Sequence, residues 1–354
     1  MPEQVLILGG AGFIGSSLAI ALKQQHPNWQ VTCFDNLRRR GSELNLPRFK
    51  HHSIAFLHGD VRSSADLDPA VLKVDTIIDC SAEPSVLAGF SSPQYVLQTN
   101  LVGTINILEL ARQVKAKLLF LSTSRVYPIA ALKSLNLIEQ ETRLAIAPNQ
   151  PLVGVSEHGI AEDFPLQGHR SIYGATKLAS ELLIEEYQAA YQVPAIINRC
   201  GVITGHWQMG KVDQGVFVLW VAAHYFKKSL QYIGYGGLGK QVRDLLFIDD
   251  LIQLIDYQLA NFLDLGGEIF NVGGGIDTSL SLLETTQLCQ TITGQQITIQ
   301  SVSKERQDDV PIFITNSSKV MQRTGWKPTV DPKLALQRIY ECIRDHETAL
   351  RSIL

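Results

Sequence analysis

Tyr173 and Lys177 stand four residues apart in Ser171-Ile172-Tyr173-Gly174-Ala175-Thr176-Lys177, ahead of the helix-like segment Leu178–Tyr191. On a helix that spacing puts both side chains on one face, one turn apart. A free tyrosine, with a pKa of about 10, is a poor base at neutral pH. A lysine ammonium a few ångströms away favours the tyrosinate. Bringing the tyrosine to about pH 7 asks for roughly 4 kcal/mol of differential stabilisation, within reach of a fixed charge in a dry pocket. The pair is then able to take a proton from an alcohol. Spacing alone is unspecific, because an exposed lysine beside a half-buried tyrosine gives the same string.

A second chemical signature lies near the N-terminus. Gly9-Gly10-Ala11-Gly12-Phe13-Ile14-Gly15 follows the short apolar run Val5-Leu6-Ile7-Leu8, and Ser16–Lys23 reads as a helix. Gly9 permits a tight turn, Gly12 lets backbone approach a pyrophosphate, and Gly15 lets helix and strand pack closely. The N–H groups at the helix entrance, with Phe13 and Ile14, and the positive end of its dipole suit phosphates. A second strand, Val31-Thr32-Cys33-Phe34, ends at Asp35, about 20 residues beyond the glycines, where an acid holds a ribose 2′-hydroxyl. Asp35 repels a 2′-phosphate and favours NAD over NADP. The run Arg38-Arg39-Arg40 pulls the other way, or faces a substrate phosphate, or is a solvated loop face.

These residues need strands and helices to position them, and the pattern supplies both. Ile54–Leu57 reads as a strand leading to Asp60-Val61, where Asp60 meets an adenine amino group. Asp75–Cys80 reads as another, ending in Ser81-Ala82-Glu83-Pro84 beside the expected pyrophosphate. Val96–Val114 is amphipathic and carries Asn100, while Lys117–Leu121 delivers Ser122-Thr123-Ser124-Arg125 at its C-terminal end. Ala195–Asn198 is a sixth strand. Repeated βα units argue for an α/β doubly wound parallel sheet, whose chemistry sits at strand C-termini. Regularity fades after residue 200. Asp244–Ile248 and Asp249–Leu263 read as a strand and helix returning to the first domain. The expected division is 1–198 with 240–265 as the dinucleotide-binding domain, and 199–239 with 266–354 as a smaller α/β substrate-binding domain.

Composition narrows the function classes. The 354 residues are 45% hydrophobic with a formal net charge of −3, so no global field draws the chain to nucleic acid or an anionic membrane. Five cysteines, odd in number and far apart, have no metal spacing and read as reduced thiols. Met1-Pro2-Glu3-Gln4 lacks a signal peptide's basic start, and no stretch approaches the roughly 18 apolar residues of a membrane span. The expectation is a cytoplasmic protein with neither a metal nor a membrane or nucleic-acid partner.

Taken in order, Gly9-x-x-Gly12-x-x-Gly15, Asp35, Asp60-Val61, Asn100, Ser122-Thr123-Ser124, Tyr173-x-x-x-Lys177 and Arg243-Asp244 are more specific than any one of them. The chain resembles the extended short-chain dehydrogenase/reductase superfamily, in its NAD-dependent sugar-nucleotide epimerase/dehydratase branch. Within the branch, Asp35–Leu46, Glu141-Thr142-Arg143, Val212-Asp213-Gln214-Gly215, Gly239–Asp244 and Ser279–Glu284 look most like CDP-tyvelose (CDP-paratose) 2-epimerases. The long insert between Tyr127 and Tyr173 fits that subgroup. Pro128, Val202 and Ser81-Ala82-Glu83-Pro84 depart from the usual pattern.

The resemblance implies a Rossmann-type fold, bound NAD, a nucleotide-diphosphate sugar as substrate, and a homodimer. It implies that Tyr173 takes the proton of a sugar hydroxyl, that Lys177 lowers the tyrosine pKa and holds the nicotinamide ribose, and that Thr123 aligns the hydroxyl. It extends the cofactor contacts to Asn36, Val61, Ser81, Ala82, Asn100, Ser122 and Cys200. It places Ser124, Arg125, Gln214, Arg243 and Arg306 on the substrate side, with Arg306/Asp309 matching the family's phosphate-gripping arginine. Dehydratases of this branch carry Asp and Glu after the threonine. Ser124 and Arg125 offer no carboxylate there, which disfavours elimination of water. Remaining rivals are a UDP-hexose 4-epimerase, a net oxidoreductase that releases its cofactor, and a catalytically silent dinucleotide-binding protein.

Overall fold

Val5-Leu6-Ile7-Leu8 behaves as a strand covered on both faces must, with all four side chains shut off from solvent. It belongs to β1 (Gln4–Leu8) of a computed structural model that describes residues 3–210 and 214–354. In chain order follow β2 (Gln30–Asp35), β3 (Ala55–His58), β4 (Thr76–Asp79), β5 (Lys117–Thr123), β6 (Ala195–Cys200) and β7 (Ile269–Val272). Their spatial order is β7-β6-β5-β4-β1-β2-β3. The pairs β1–β2, β2–β3, β1–β4 and β4–β5 are parallel. The order reverses between β1 and β4, the switch point at which such sheets bind ligands. This is the expected α/β doubly wound sheet of Rossmann type.

Its seventh strand is not the expected one. Val242–Phe247 joins a separate sheet, where it pairs with Val202–Thr204, Ser279–Ser281 and Ile312–Phe313. Ile269–Val272, expected in the smaller domain, completes the first sheet instead. Both mix polar residues (Arg243 and Asp244; Asn271) with fully buried apolar ones such as Leu245, Leu246, Phe270 and Val272. Strands this short announce burial without naming their partners.

The chain divides into two compact units, Met1–Val126 with Ser171–Arg199 and Ile252–Ile269, and Tyr127–Arg170 with Cys200–Leu251 and Phe270–Leu354. Residues 127–170 and 240–251 therefore go with the second unit, not the first. Side-chain ties fix the insert there. Arg143 donates to the Ser279 hydroxyl (3.0 Å), Thr142 to Glu284 (2.7 Å), and Lys133 pairs with Glu305 (2.9 Å). Three helices, Val216–Tyr225, Leu282–Thr293 and Pro332–Asp345, pack together in this unit. The second of them starts with a capping box between Ser281 and Glu284.

Two helices of the first unit matter for the site. The amphipathic stretch read as one helix is broken into Pro93–Leu97, a π-helical turn Gln98–Val102 and Gly103–Val114. The tyrosine helix is Ile172–Tyr191, capped by the Ser171 hydroxyl accepting from the Gly174 N–H at 3.2 Å. No helix among the described residues is long and apolar enough to cross a membrane.

Candidate active site

The glycine turn is shaped by what surrounds it. Gly9 has φ +68°, and a Cβ there would lie 2.8 Å from the Ser81 Cα. At Gly15 a Cβ would meet the Gly9 carbonyl oxygen at 2.4 Å. Gly10, which the motif spacing does not single out, would collide with the Cys33 Cβ at 2.6 Å. Gly12 differs: its nearest obstacle is the Gly9 oxygen at 3.2 Å, so the turn keeps an open side there. Gly12 is also the N-cap of the helix Phe13–Gln25, which has no side-chain cap and no acid in its first turn. Uncapped N–H groups beside an open glycine fit a pyrophosphate.

Asp35 closes the turn from the end of β2. It accepts from the N–H groups of Ala11 (3.1 Å) and Leu37 (2.8 Å), while burial pushes its carboxyl up. Asn36 donates to Asp60 at 3.0 Å, and Arg62 grips Asp60 with two bonds, at 2.9 and 2.6 Å. The Arg62 guanidinium holds the Asp60 carboxyl well below the usual carboxylate range. Val61 is buried, and its carbonyl accepts from Asn106 at 2.9 Å. Asn45, absent from the expected set, donates to the Ala11 carbonyl at 2.9 Å and fixes the outer wall of the turn. Arg38 stacks on Tyr95, 4.0 Å from the ring centre. Its place on an aromatic ring is a structural alternative to holding a phosphate.

Asn100 braces the site. Its amide accepts from the Glu83 N–H (2.8 Å) and donates to the Glu83 carbonyl and the Thr176 hydroxyl (both 3.1 Å). The turn after β4, which carries Ser81 and Ala82, is thereby tied to the tyrosine helix. The π-turn puts Asn100 on that brace, and such turns recur at functional sites. Ser122 donates to Glu181, which is ion-paired with Arg199 at 2.8 Å in a fully buried cluster. Thr123 ends β5 and its hydroxyl accepts from the Arg125 N–H at 3.2 Å. Tyr173 (9% exposed) and Lys177 (2%) are nearly shut off from solvent, and the Lys177 ammonium lies 3.9 Å from the centre of the Phe120 ring. The first unit thus gathers the turn, Asp35, Thr123, Tyr173 and Lys177 along the C-terminal ends of its strands.

The remaining expected residues belong to the second unit. Cys200 is buried at the end of β6. Gln214 borders the stretch 211–213, and Val212 and Asp213 of the motif lie outside the described residues. Arg243 donates to Asp309 (2.9 Å) and to the carbonyls of Val310 and Val242 (both 2.7 Å). Asp309 therefore partners Arg243, whereas the motif pairs it with Arg306. Arg306 stands half-buried in the turn before it. Among the described residues no cluster of three His, Cys, Asp or Glu is arranged to hold a metal.

A glycine turn open on one side, closed by an acid at the next strand end, is a dinucleotide cradle, and the fold is that of Rossmann-type dinucleotide-binding proteins. Comparison with known proteins narrows this class. The sequence pattern of the NAD dependent epimerase/dehydratase family matches residues 5–273, so the chain belongs to that family and its cofactor is NAD. It is 30% identical over 352 residues to CDP-paratose 2-epimerase of Salmonella typhi, covering 96% of this chain and 98% of that one. It is 26% identical to dTDP-glucose 4,6-dehydratase of an Actinoplanes species, covering 93% of each. In structure it matches UDP-glucuronic acid 4-epimerase of Bacillus cereus with a TM-score of 0.80, at 24% identity over 97% of this chain and 99% of that one.

Proposed function

We propose that the chain epimerises a nucleotide-diphosphate sugar, acting at C2 of a CDP-linked sugar of the paratose/tyvelose type and retaining its NAD between turnovers. The observation that carries epimerisation over dehydration is Ser124-Arg125, directly after Thr123 at the end of β5. Elimination of water asks for an acid and a base beside the reacting carbon, and neither residue supplies a carboxylate. The CDP-sugar reading is supported by 30% identity along nearly the whole chain to a CDP-paratose 2-epimerase.

The chain's own residues divide the work. Gly9, Gly12, Phe13 and Ile14 hold the pyrophosphate of NAD, Asp35 and Asn36 the adenosine ribose, and Asp60 and Val61 the adenine. Ser81, Ala82, Asn100, Ser122 and Cys200 line the rest of the cofactor site. Bound NAD supplies the two-electron acceptor and donor at the sugar carbon. Tyr173 Oη takes the sugar hydroxyl's proton and later returns it, and the Lys177 ammonium favours the tyrosinate. Thr123 Oγ1 shares the hydroxyl's hydrogen bond and orients it. Arg243 and Arg306 hold the diphosphate, while Ser124, Arg125 and Gln214 meet the sugar. Five free thiols suit the cytoplasm. Exposed apolar side chains Leu87, Phe90, Leu97, Ile172 and Leu182 in the first unit support a homodimer. A single-chain mass in sedimentation velocity removes that part of the reading.

The test is mass spectrometry and ultraviolet absorbance on the supernatant of denatured protein, before and after incubation with CDP-, UDP- and GDP-sugars. About one NAD released per chain, with part of it reduced by CDP-sugars alone, is the expected result. Reduction by UDP-hexoses instead moves the reading to a 4-epimerase. Stoichiometric NADH accumulating free in solution overturns it in favour of a net oxidoreductase.

A further inference from the structure

Glu181 lies in the interior of the first unit at 2% exposure, on the tyrosine helix. Its carboxylate is held from two strands at once. From β5 it receives the Ser122 hydroxyl, and from β6 the Arg199 guanidinium, with Nη2 at 2.8 Å and Nε at 3.1 Å. Ser122 and Arg199 are themselves buried. A carboxylate is tolerated in the interior only when its charge and lone pairs are met in this way. Such a cluster gains little stability over apolar side chains of the same size. What it does fix is geometry, because charge-assisted bonds from two strands leave the carboxylate little freedom.

That geometry bears on two reacting side chains. Phe120 and Ser122 are two apart on β5 and so share a face of the sheet. Lys177 and Glu181 are four apart on the helix, one turn along the same side. The Lys177 ammonium lies 3.9 Å from the centre of the Phe120 ring, and Glu181 takes the Ser122 hydroxyl. Two contacts, a turn apart on the helix and two positions apart on the strand, oppose both sliding and rotation of one element on the other. Thr123 directly follows Ser122, and Tyr173 precedes Lys177 by one turn. Asn100 ties the helix to the turn after β4, whereas Glu181 ties it to β5 and β6.

We propose that Glu181 is a positioning residue: with Ser122 and Arg199 it docks the tyrosine helix on β5 so that Tyr173 and Thr123 share one sugar hydroxyl. The inference deepens the proposed function and rests on Tyr173 being its acid–base group. A hydroxyl bonded by both side chains reacts only when their separation suits it, and a misplacement of about 1 Å costs about a hundredfold in rate. Glu181 touches neither sugar nor cofactor in this role. It acts through Ser122, the residue before Thr123.

The test separates stability from turnover in NAD-loaded protein, with kcat, KM, NAD content and thermal midpoint read together. The substrate is CDP-paratose, or whichever CDP-, UDP- or GDP-sugar wild type converts. Ser122→Ala removes the hydroxyl and keeps the ion pair. It is expected to lower kcat about tenfold, with KM, NAD content and midpoint near wild type. Glu181→Leu strands the Arg199 charge and lowers the midpoint as well. Glu181→Leu together with Arg199→Met removes both charges, so the midpoint returns toward wild type while kcat stays about tenfold low. Turnover that recovers with the midpoint, or Ser122→Ala as fast as wild type, reduces the cluster to scaffolding and overturns the proposal. So does a loss carried by KM or by NAD content alone. Ser122→Ala decides the matter if the charge-free variant does not fold. Wild-type protein that converts no nucleotide sugar refutes the functional reading itself, and this inference with it.

Discussion

Asp35 in the first unit and Asp250 in the second are both acids that collect backbone N–H groups, and they end differently. Asp35 takes the N–H groups of Ala11 and Leu37, and those of Gly12 and Asn36 also draw its carboxyl down, at the mouth of the glycine turn. Asp250 is fully buried and accepts from the Thr329 N–H (3.1 Å), the Thr329 hydroxyl (2.6 Å) and the Val330 N–H (3.1 Å). Trp326 adds a bond to its carbonyl at 2.9 Å. The first acid shapes a turn and stays only half-buried, so a ligand can still approach it. The second joins segments 79 and 80 residues apart and has little left over. The difference belongs to these two acids and not to their units as wholes, since buried polar atoms without a partner occur in both, Asp79 Oδ2 in the first and Asp244 Oδ1 in the second among them.

Three substitutions separate the two uses, in falling order of effect. Tyr173→Phe removes only the phenolic oxygen, the proposed acid–base group. Turnover is expected to drop about a thousandfold with NAD content and thermal midpoint unchanged, read by steady-state kinetics and differential scanning fluorimetry. Activity near wild type would refute the mechanism. Asp250→Ala strands two buried N–H groups in the second unit. It is expected to cost about 3 kcal/mol in chemical denaturation, while NAD binds with wild-type affinity to the protein that remains folded. A selective loss of NAD affinity would erase the distinction between the two acids. Asp35→Ala reverses that pattern, weakening NAD about 30-fold in equilibrium dialysis with a smaller loss of stability. Unchanged affinity removes Asp35 from the ribose site.

The same contrast explains what the sequence could disclose. The glycine turn, Asp35 and the Tyr173/Lys177 pair are legible because their chemistry is imposed by local spacing on a strand-turn-helix or a single helix. The insert 127–170 is not, because Thr142 and Glu284, the residues that assign it to the second unit, meet across 142 positions. Val242–Phe247 and Ile269–Val272 are both short and largely buried, and the observed pairing tells which sheet each joins. Periodicity also hides the π-turn at Gln98–Val102, which adds no break in amphipathic character and yet places Asn100 between Glu83 and Thr176. The spacing of Arg306 and Asp309 shows nothing of Arg243, which reaches Asp309 across 66 positions.

Asp244 is the second unit's counterexample to Asp250 and gives the smallest and sharpest test. It lies in the second unit, fully buried, yet its Oδ1 has no hydrogen-bond partner. Its Oδ2 accepts from the Gly275 N–H at 3.1 Å. Gly201 and Gly273 press against it, where a Cβ on Gly273 would sit 2.4 Å from that oxygen. Burial pushes the carboxyl up, against the Thr315 side chain first and then the backbone N–H groups, which pull it down. A carboxyl raised in the folded state binds its proton more tightly there than in the unfolded chain, where aspartate titrates near about 3.9. Its favourable contribution is therefore complete below that value and is lost as pH rises through the folded pKa. Asp244→Asn keeps the acceptor and removes the titration. Relative to wild type it should gain stability as pH rises from about 4 toward neutrality, by about 2 °C in Tm, and gain nothing further above. If the difference between the two proteins does not change with pH, the carboxylate is satisfied in the folded state. Asp244 then joins Asp250 as one more stitch.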